Sequence, residues 1–173
     1  MNEIFRGCCL AIAGSLVLGC AGRNRPKPIV PTVSKGSCAD PARDGVVTEK
    51  PSITRADYDL NGDGVLEAAA ADKNACDEKN NCYWNLFRKA HVQGTNGQSC
   101  WRYIGTIEGE AMRPQNTTGE DRYLDVRGWW RLSSPERMVL SEYRFRDGVY
   151  ELADSMLCKA MDGEVLQCTA SVR

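Results

Sequence analysis

The chain has 173 residues, with 22 lysines and arginines against 23 aspartates and glutamates and a formal net charge of −1. That length fits a single domain able to bury a core of its own. The near-neutral balance gives no electrostatic reason to expect nucleic acid, which calls for a clustered basic surface.

Residues 1–19 open with a short polar start carrying Glu3 and Arg6 and continue as an apolar run from Gly7 to Gly19. Crossing a bilayer core takes about 20 apolar residues, and a run nearer a dozen fits the hydrophobic region of a signal peptide. Val17, Leu18 and Gly19 then lead into Cys20, a stretch that resembles the lipobox of bacterial lipoproteins. The resemblance implies cleavage before Cys20, lipid on that cysteine and a membrane anchor at the cell envelope; conventional secretory cleavage is the alternative. Ala21, standing where an aspartate would otherwise follow, implies the outer membrane in a Gram-negative source. Two or more acyl chains suffice for stable anchoring.

Residues 20–50 form the next unit. They hold Pro26, Pro28 and Pro31, and the basic residues Arg23, Arg25, Lys27 and Lys35 precede the first acid. Proline-rich chain extends by ~3.1 Å per residue, enough to hold a domain on the order of 50 Å from a membrane. The cations serve either to attract anionic lipid or simply to keep a disordered spacer soluble. The folded domain is expected over 51–173.

Near its start, Asp59, Asn61, Asp63 and Glu67 occupy positions 1, 3, 5 and 9 of one short loop, with Gly62 and Gly64 between them. Calcium takes six to eight oxygens, and alternate side chains of a tight loop can converge on it while position 7, here Val65, offers its carbonyl. An EF-hand would need a bidentate acid at position 12, where Ala70 stands. The loop is more similar to the D-x-D-x-D-G-x-x-D calcium loops of FG-GAP repeats in integrin-type propellers, with Asn61 and Glu67 as the departures. That resemblance covers residues 57–72 in a single copy and implies a structural calcium site in a strand-loop-strand setting. The competing reading is a metal-free turn, because Asn, Asp and Gly favour turns for backbone reasons alone.

From residue 65 onward, short segments rich in aromatic and β-branched residues alternate with Gly, Asn and Asp. They predict strands at Val65 to Asp72, Cys82 to Ala90, Ser99 to Glu108, Arg122 to Leu132, Arg137 to Arg146, Val149 to Leu157 and Glu164 to Val172. Four successive alanines make residues 67–75 the segment where helix competes with strand. Asp147-Gly148 and Asp162-Gly163 mark tight hairpins. The expected fold is mainly β: an antiparallel meander in two small packed sheets, similar to paired propeller blades. The first three strands form one sheet, residues 113–121 form a break, and the last four strands form the other.

Removing the signal peptide and committing Cys20 to lipid leaves six cysteines, which in an exported protein read as disulfides with 15 formal pairings. Cys158 and Cys168 flank a hairpin turn, Cys76 and Cys82 bracket a polar loop, and Cys38 is left for Cys100. A zinc-thiolate site is disfavoured because no C-x-x-C pair exists.

Trp129 and Trp130 are neighbours in a strand, so one faces the core and the other faces outward or meets another element. An outward tryptophan could stack on a sugar or a protein partner, or merely cover a sheet edge. Arg127, Arg131, Arg144 and Arg146 lie close by as a candidate basic surface. Glu108 and Glu110 form an acid pair of the kind glycoside hydrolysis uses, and His91 is the sole histidine; neither sits in a recognisable catalytic motif. The expectation is a non-catalytic, calcium-stabilised envelope lipoprotein that binds peptidoglycan, a polysaccharide or a protein. The alternatives are an inhibitor of a lytic enzyme such as lysozyme, presenting residues 111–121 as a protruding loop, and a small hydrolase.

Overall fold

The computed structural model describes residues 38–39, 52–91, 99–133, 137–160 and 166–169. The signal peptide, Cys20, nearly all of the tether and the Asp162-Gly163 turn lie outside the described residues.

Ten strands occur in chain order: Cys38–Ala39 (β1), Ile53–Tyr58 (β2), Glu67–Asp72 (β3), Cys82–His91 (β4), Ser99–Gly109 (β5), Ala111–Thr118 (β6), Leu124–Arg131 (β7), Arg137–Arg146 (β8), Val149–Ala160 (β9) and Leu166–Thr169 (β10). No α-helix occurs among the described residues; two short 3-10 turns lie at Lys73–Ala75 and Glu120–Arg122. All pairing is antiparallel, in one sheet of order β1-β5-β4-β3-β2 and another of order β10-β9-β8-β7-β6. The fold is thus mainly β in two sheets, as expected, but the chain crosses between them at Gly109 and Glu110, ahead of the segment expected to divide them.

Three strands are additional to the expected set: β2, β6 and the two-residue β1. β2 pairs along its whole length with β3, and β6 pairs with β7. Residues 113–121 are therefore not a break: 113–118 belong to β6, the outer strand of the second sheet, and 120–122 form a 3-10 turn. The same observation removes the protruding loop expected at 111–121. Pro114 has no N–H to donate, which suits it to an edge, and the ladder to β7 loses register between Pro114 and Thr118. β7 begins at Leu124 rather than Arg122 because Asp121 and Arg122 take positive φ in the turn before it. The four alanines of β3 are strand after all. All are buried, so packing on both sheet faces overrides their helix propensity.

The chain passes from one sheet to the other at a corner. β5 ends at Gly109, whose φ is +150°, and β6 starts two residues later, with the Glu110 N–H donating to the Trp129 carbonyl at 2.9 Å. A strand that bends across in this way closes one side of the space between sheets. The sheets lie close together there: a Cβ built on Gly128 would lie 2.4 Å from the Glu108 carbonyl oxygen.

Leu86, Ile104 and Ile107 from the first sheet meet Met112, Val126, Tyr143, Phe145 and Tyr150 from the second, with Leu60 and Tyr123 filling the end near the acidic loop. Tyr123 stacks on Phe145 at 4.0 Å between ring centroids. Three disulfides join Cys38 to Cys100, Cys76 to Cys82 and Cys158 to Cys168. These are the pairs the local spacing suggests, and Cys158 stands directly opposite Cys168 in the β9-β10 ladder.

Candidate functional site

Successive strand residues point to opposite faces, and in β7 this divides the tryptophans. Trp130 turns inward, 5% exposed, and meets Tyr83 at 5.5 Å. Trp129 turns outward with Arg127 and Arg131, and β8 adds Met138 and Leu140 from the same face. Arg113 of β6 stands opposite Arg127, and Ala111 opposite Trp129. The result is a cleft of about 580 Å³ on the outer face of the second sheet, with Trp129, Met138 and Leu140 as its floor and arginines around it. That volume lies in the range of small-ligand sites.

The cross-strand rows explain the cleft's character. One row runs Ala111, Trp129, Leu140, Met156 and is apolar. The next runs Arg113, Arg127, Glu142, Asp154, positive at its β6 end and negative at its β9 end. Arg127 forms an ion pair with Glu142. Arg131 pairs with Glu110 at 2.5 Å, and Arg144 pairs with Asp125 at 3.3 Å. The four arginines singled out in the sequence therefore do not make one bare basic patch, since three of them face a carboxylate. Arg113, which the sequence reading did not single out, is the arginine at the cleft without a carboxylate partner among the described residues. Its signal in the sequence was muted because β6 reads as turn composition.

The acidic loop lies apart from the cleft, beside a cavity that shares no lining residue with it. Asp59 accepts from the Gly62, Asp63 and Gly64 N–H groups at 2.8, 3.2 and 3.1 Å. Asn61 accepts from the Asp63 N–H at 3.0 Å, and Asp63 accepts from the Val65 N–H at 2.7 Å and from the Asn61 side-chain amide at 2.8 Å. Gly62 and Gly64 hold φ near +71° and +81°, which the tight wrap requires. Glu67 is turned inward. It accepts from the Leu60 N–H at 2.8 Å and from the Tyr123 hydroxyl at 3.4 Å, while the Leu60 carbonyl accepts from the Leu124 N–H. The loop is thereby tied to both sheets.

Charge is crowded there. The Val65 N–H and the Asn61 amide hold the Asp63 carboxyl below its ordinary range. Burial pushes the Glu67 carboxyl up, the Leu60 N–H opposes this, and the nearby Asp63 and Asp59 carboxylates raise it further. Among the described residues, no three His, Cys, Asp or Glu side chains converge closely enough to hold a metal as they stand. What fits calcium is the donor set: hard oxygens of Asp59, Asn61 and Asp63 on one tight loop, with mutual repulsion extending to Glu67.

Protein-family models, curated proteins and solved structures give no match to this chain.

The remaining candidates separate. The Gly109 corner lies between Glu108 and Glu110, and neither lines the cleft or the cavity of about 520 Å³ beside the acidic loop. His91 is exposed at the end of β4 and lines that second cavity with Arg88, Lys89 and Tyr123.

Proposed function

We propose that this protein is a non-catalytic binding module of the bacterial cell envelope that takes its ligand in the cleft on the outer face of the second sheet. The observation carrying this is the outward Trp129, set among Met138, Leu140, Arg113, Arg127 and Arg131 in one concavity. An aromatic face framed by a few fixed polar groups is how small-ligand sites obtain both affinity and orientation. Envelope placement rests on the lipobox-like residues Val17 to Cys20, with lipid on Cys20 as the anchor and residues 20–50 as tether. The inhibitor reading is the less favoured one, since Ala111–Pro114 and Thr118 are paired with β7 rather than projecting as a loop.

Calcium is proposed as a brace rather than a participant in binding. Asp59, Asn61 and Asp63 would hold it by side chain and Val65 by its carbonyl, with Glu67 as a further acid beneath. Bound there, the ion supplies positive charge that offsets the repulsion among Asp59, Asp63 and Glu67. Extracellular sites of this type work at about 10⁻⁴ to 10⁻³ M.

The test of binding is sedimentation of the full-length chain with insoluble cell-wall sacculi. Wild type is expected to pellet, and Trp129→Ala, checked for an unchanged melting temperature, is expected to remain in the supernatant. Equal pelleting of the two proteins removes the cleft from the function. Palmitate labelling lost in Cys20→Ala tests the anchor.

A further inference from the structure

We infer that the ligand of this cleft is a saccharide bearing carboxylates, with a sugar ring on Trp129 and an acid group on Arg113. This rests on the binding-module reading above and deepens it.

Three features of the cleft select that chemistry together. The floor row of Trp129 and Leu140 is apolar, and a planar indole suits the C–H face of a pyranose while giving a fully hydrated polyanion nothing to gain. The rim carries Gln115 and Asn116. The Gln115 amide already donates to the Arg113 carbonyl at 3.0 Å, which fixes its orientation and leaves its oxygen to accept from a hydroxyl. Side-chain amides both donate and accept, as sugar hydroxyls do.

The charge pattern supplies the third. Arg113 and Arg127 stand directly opposite on β6 and β7, a like-charge pair that costs stability unless an anion intervenes. Glu142 answers Arg127 from the β8 side, and no described carboxylate answers Arg113. A ligand carboxylate on Arg113 would complete the alternation, and a planar guanidinium is the group best shaped to receive one.

A peptide is the less suitable occupant. Peptides commonly add as a strand to a sheet edge, but the edge beside the cleft is β6, where Pro114 offers no N–H and the ladder register breaks before Thr118.

The experiment is isothermal titration of the full-length chain with two matched pairs of oligosaccharides. One pair is a peptide-free tetrasaccharide of alternating N-acetylglucosamine and N-acetylmuramic acid against chitotetraose, which lacks the lactyl carboxylates. The other is tetragalacturonate against its methyl ester. Tripolyphosphate is a fifth probe. At least one acidic saccharide is expected to bind more tightly than its neutral counterpart by about tenfold or more, the worth of a charge-assisted contact. Arg113→Gln is expected to bring the two members of that pair together, Arg113→Lys to restore part of the difference, and Trp129→Ala to abolish binding of both. Equal affinity within both pairs, tighter binding of tripolyphosphate, or an unchanged preference in Arg113→Gln overturns the inference. If sacculi still pellet the protein through Trp129 under any of those outcomes, the binding module stands and only the ligand class falls. If neither sacculi nor any saccharide binds, both readings fall.

Discussion

Asn81 and Arg131 exchange two hydrogen bonds like facing residues of one ladder, although they are 50 residues apart and Asn81 lies in the loop just before β4 of the first sheet while Arg131 ends β7 of the second. The Arg131 N–H donates to the Asn81 side-chain oxygen at 2.7 Å, and the Asn81 amide donates to the Arg131 carbonyl at 2.9 Å. Asn81 is fully buried, and Asp77 fixes it further by accepting from both its N–H and its side-chain amide. A side chain here does the work of a missing strand, at the end of β7 that also positions Arg131 for the cleft.

Asn81→Ala would leave the Arg131 N–H without its partner and cost about 2–3 kcal/mol. Urea unfolding measures this directly, and an unchanged midpoint would mean that the pair contributes nothing to joining the sheets.

At the corner, Gly128→Ala is expected to be more severe than its single methyl group suggests. The added carbon would lie 2.4 Å from a backbone oxygen of Glu108, an atom that cannot swing aside. The sheets must part or the corner must move, at about 3 kcal/mol or more. A loss under about 1 kcal/mol in the same assay would show that the interface gives way easily, contrary to the ordinary rigidity of packed interiors.

Tyr143 provides a reading at high pH. Burial pushes its hydroxyl up to about 12, outweighing the Glu108 N–H that donates to its oxygen; Tyr150 is pushed up further still, again by burial first. A raised folded-state value means that the native protein holds the proton where the unfolded chain has lost it. Stability from Tyr143 is therefore complete below about pH 10 and declines as pH climbs toward its folded value. Ultraviolet titration should show Tyr143 and Tyr150 ionising late, together with unfolding. Ionisation of all six tyrosines near pH 10 in folded protein would contradict the packing.

Calcium should act on the acidic loop with a definite sign. The Glu67 carboxyl is raised, so without metal its contribution is fully present below the ordinary glutamate range and is lost as pH rises through its folded value. In EGTA, Glu67→Gln is expected to melt higher than wild type at neutral pH. Calcium at a hundredfold excess over its Kd should stabilise wild type by about 2.7 kcal/mol and Asp59→Ala by much less. Identical wild-type melts in calcium and EGTA would leave the loop as a turn built for its own backbone.

The legible and illegible parts of this fold differ for physical reasons. Alternation and the Asp147-Gly148 turn were readable because both are local. β6 was not: Pro114, Gln115, Asn116 and the two threonines after it have the composition of a turn, and what holds the segment as a strand is its pairing with β7 at Ala111–Pro114 and again at Thr118. β2 was obscured by its brevity and by Pro51 just upstream. The outward Trp129 followed from its adjacency to Trp130, but which of the two faced out, and that Arg113 would stand beside it, depended on register. Glu67 looked like one more loop oxygen; only packing reveals it beneath Tyr123, holding Leu60.

Pro114 has a consequence for the company this molecule can keep. Sheet proteins at high concentration risk joining sheet to sheet through their outermost strands. At Pro114 an approaching copy would find no donor, and beyond it a stretch whose spacing fits no regular neighbour. The β6 edge should therefore resist being extended by a second copy, and the tryptophan-floored face beside it should stay open.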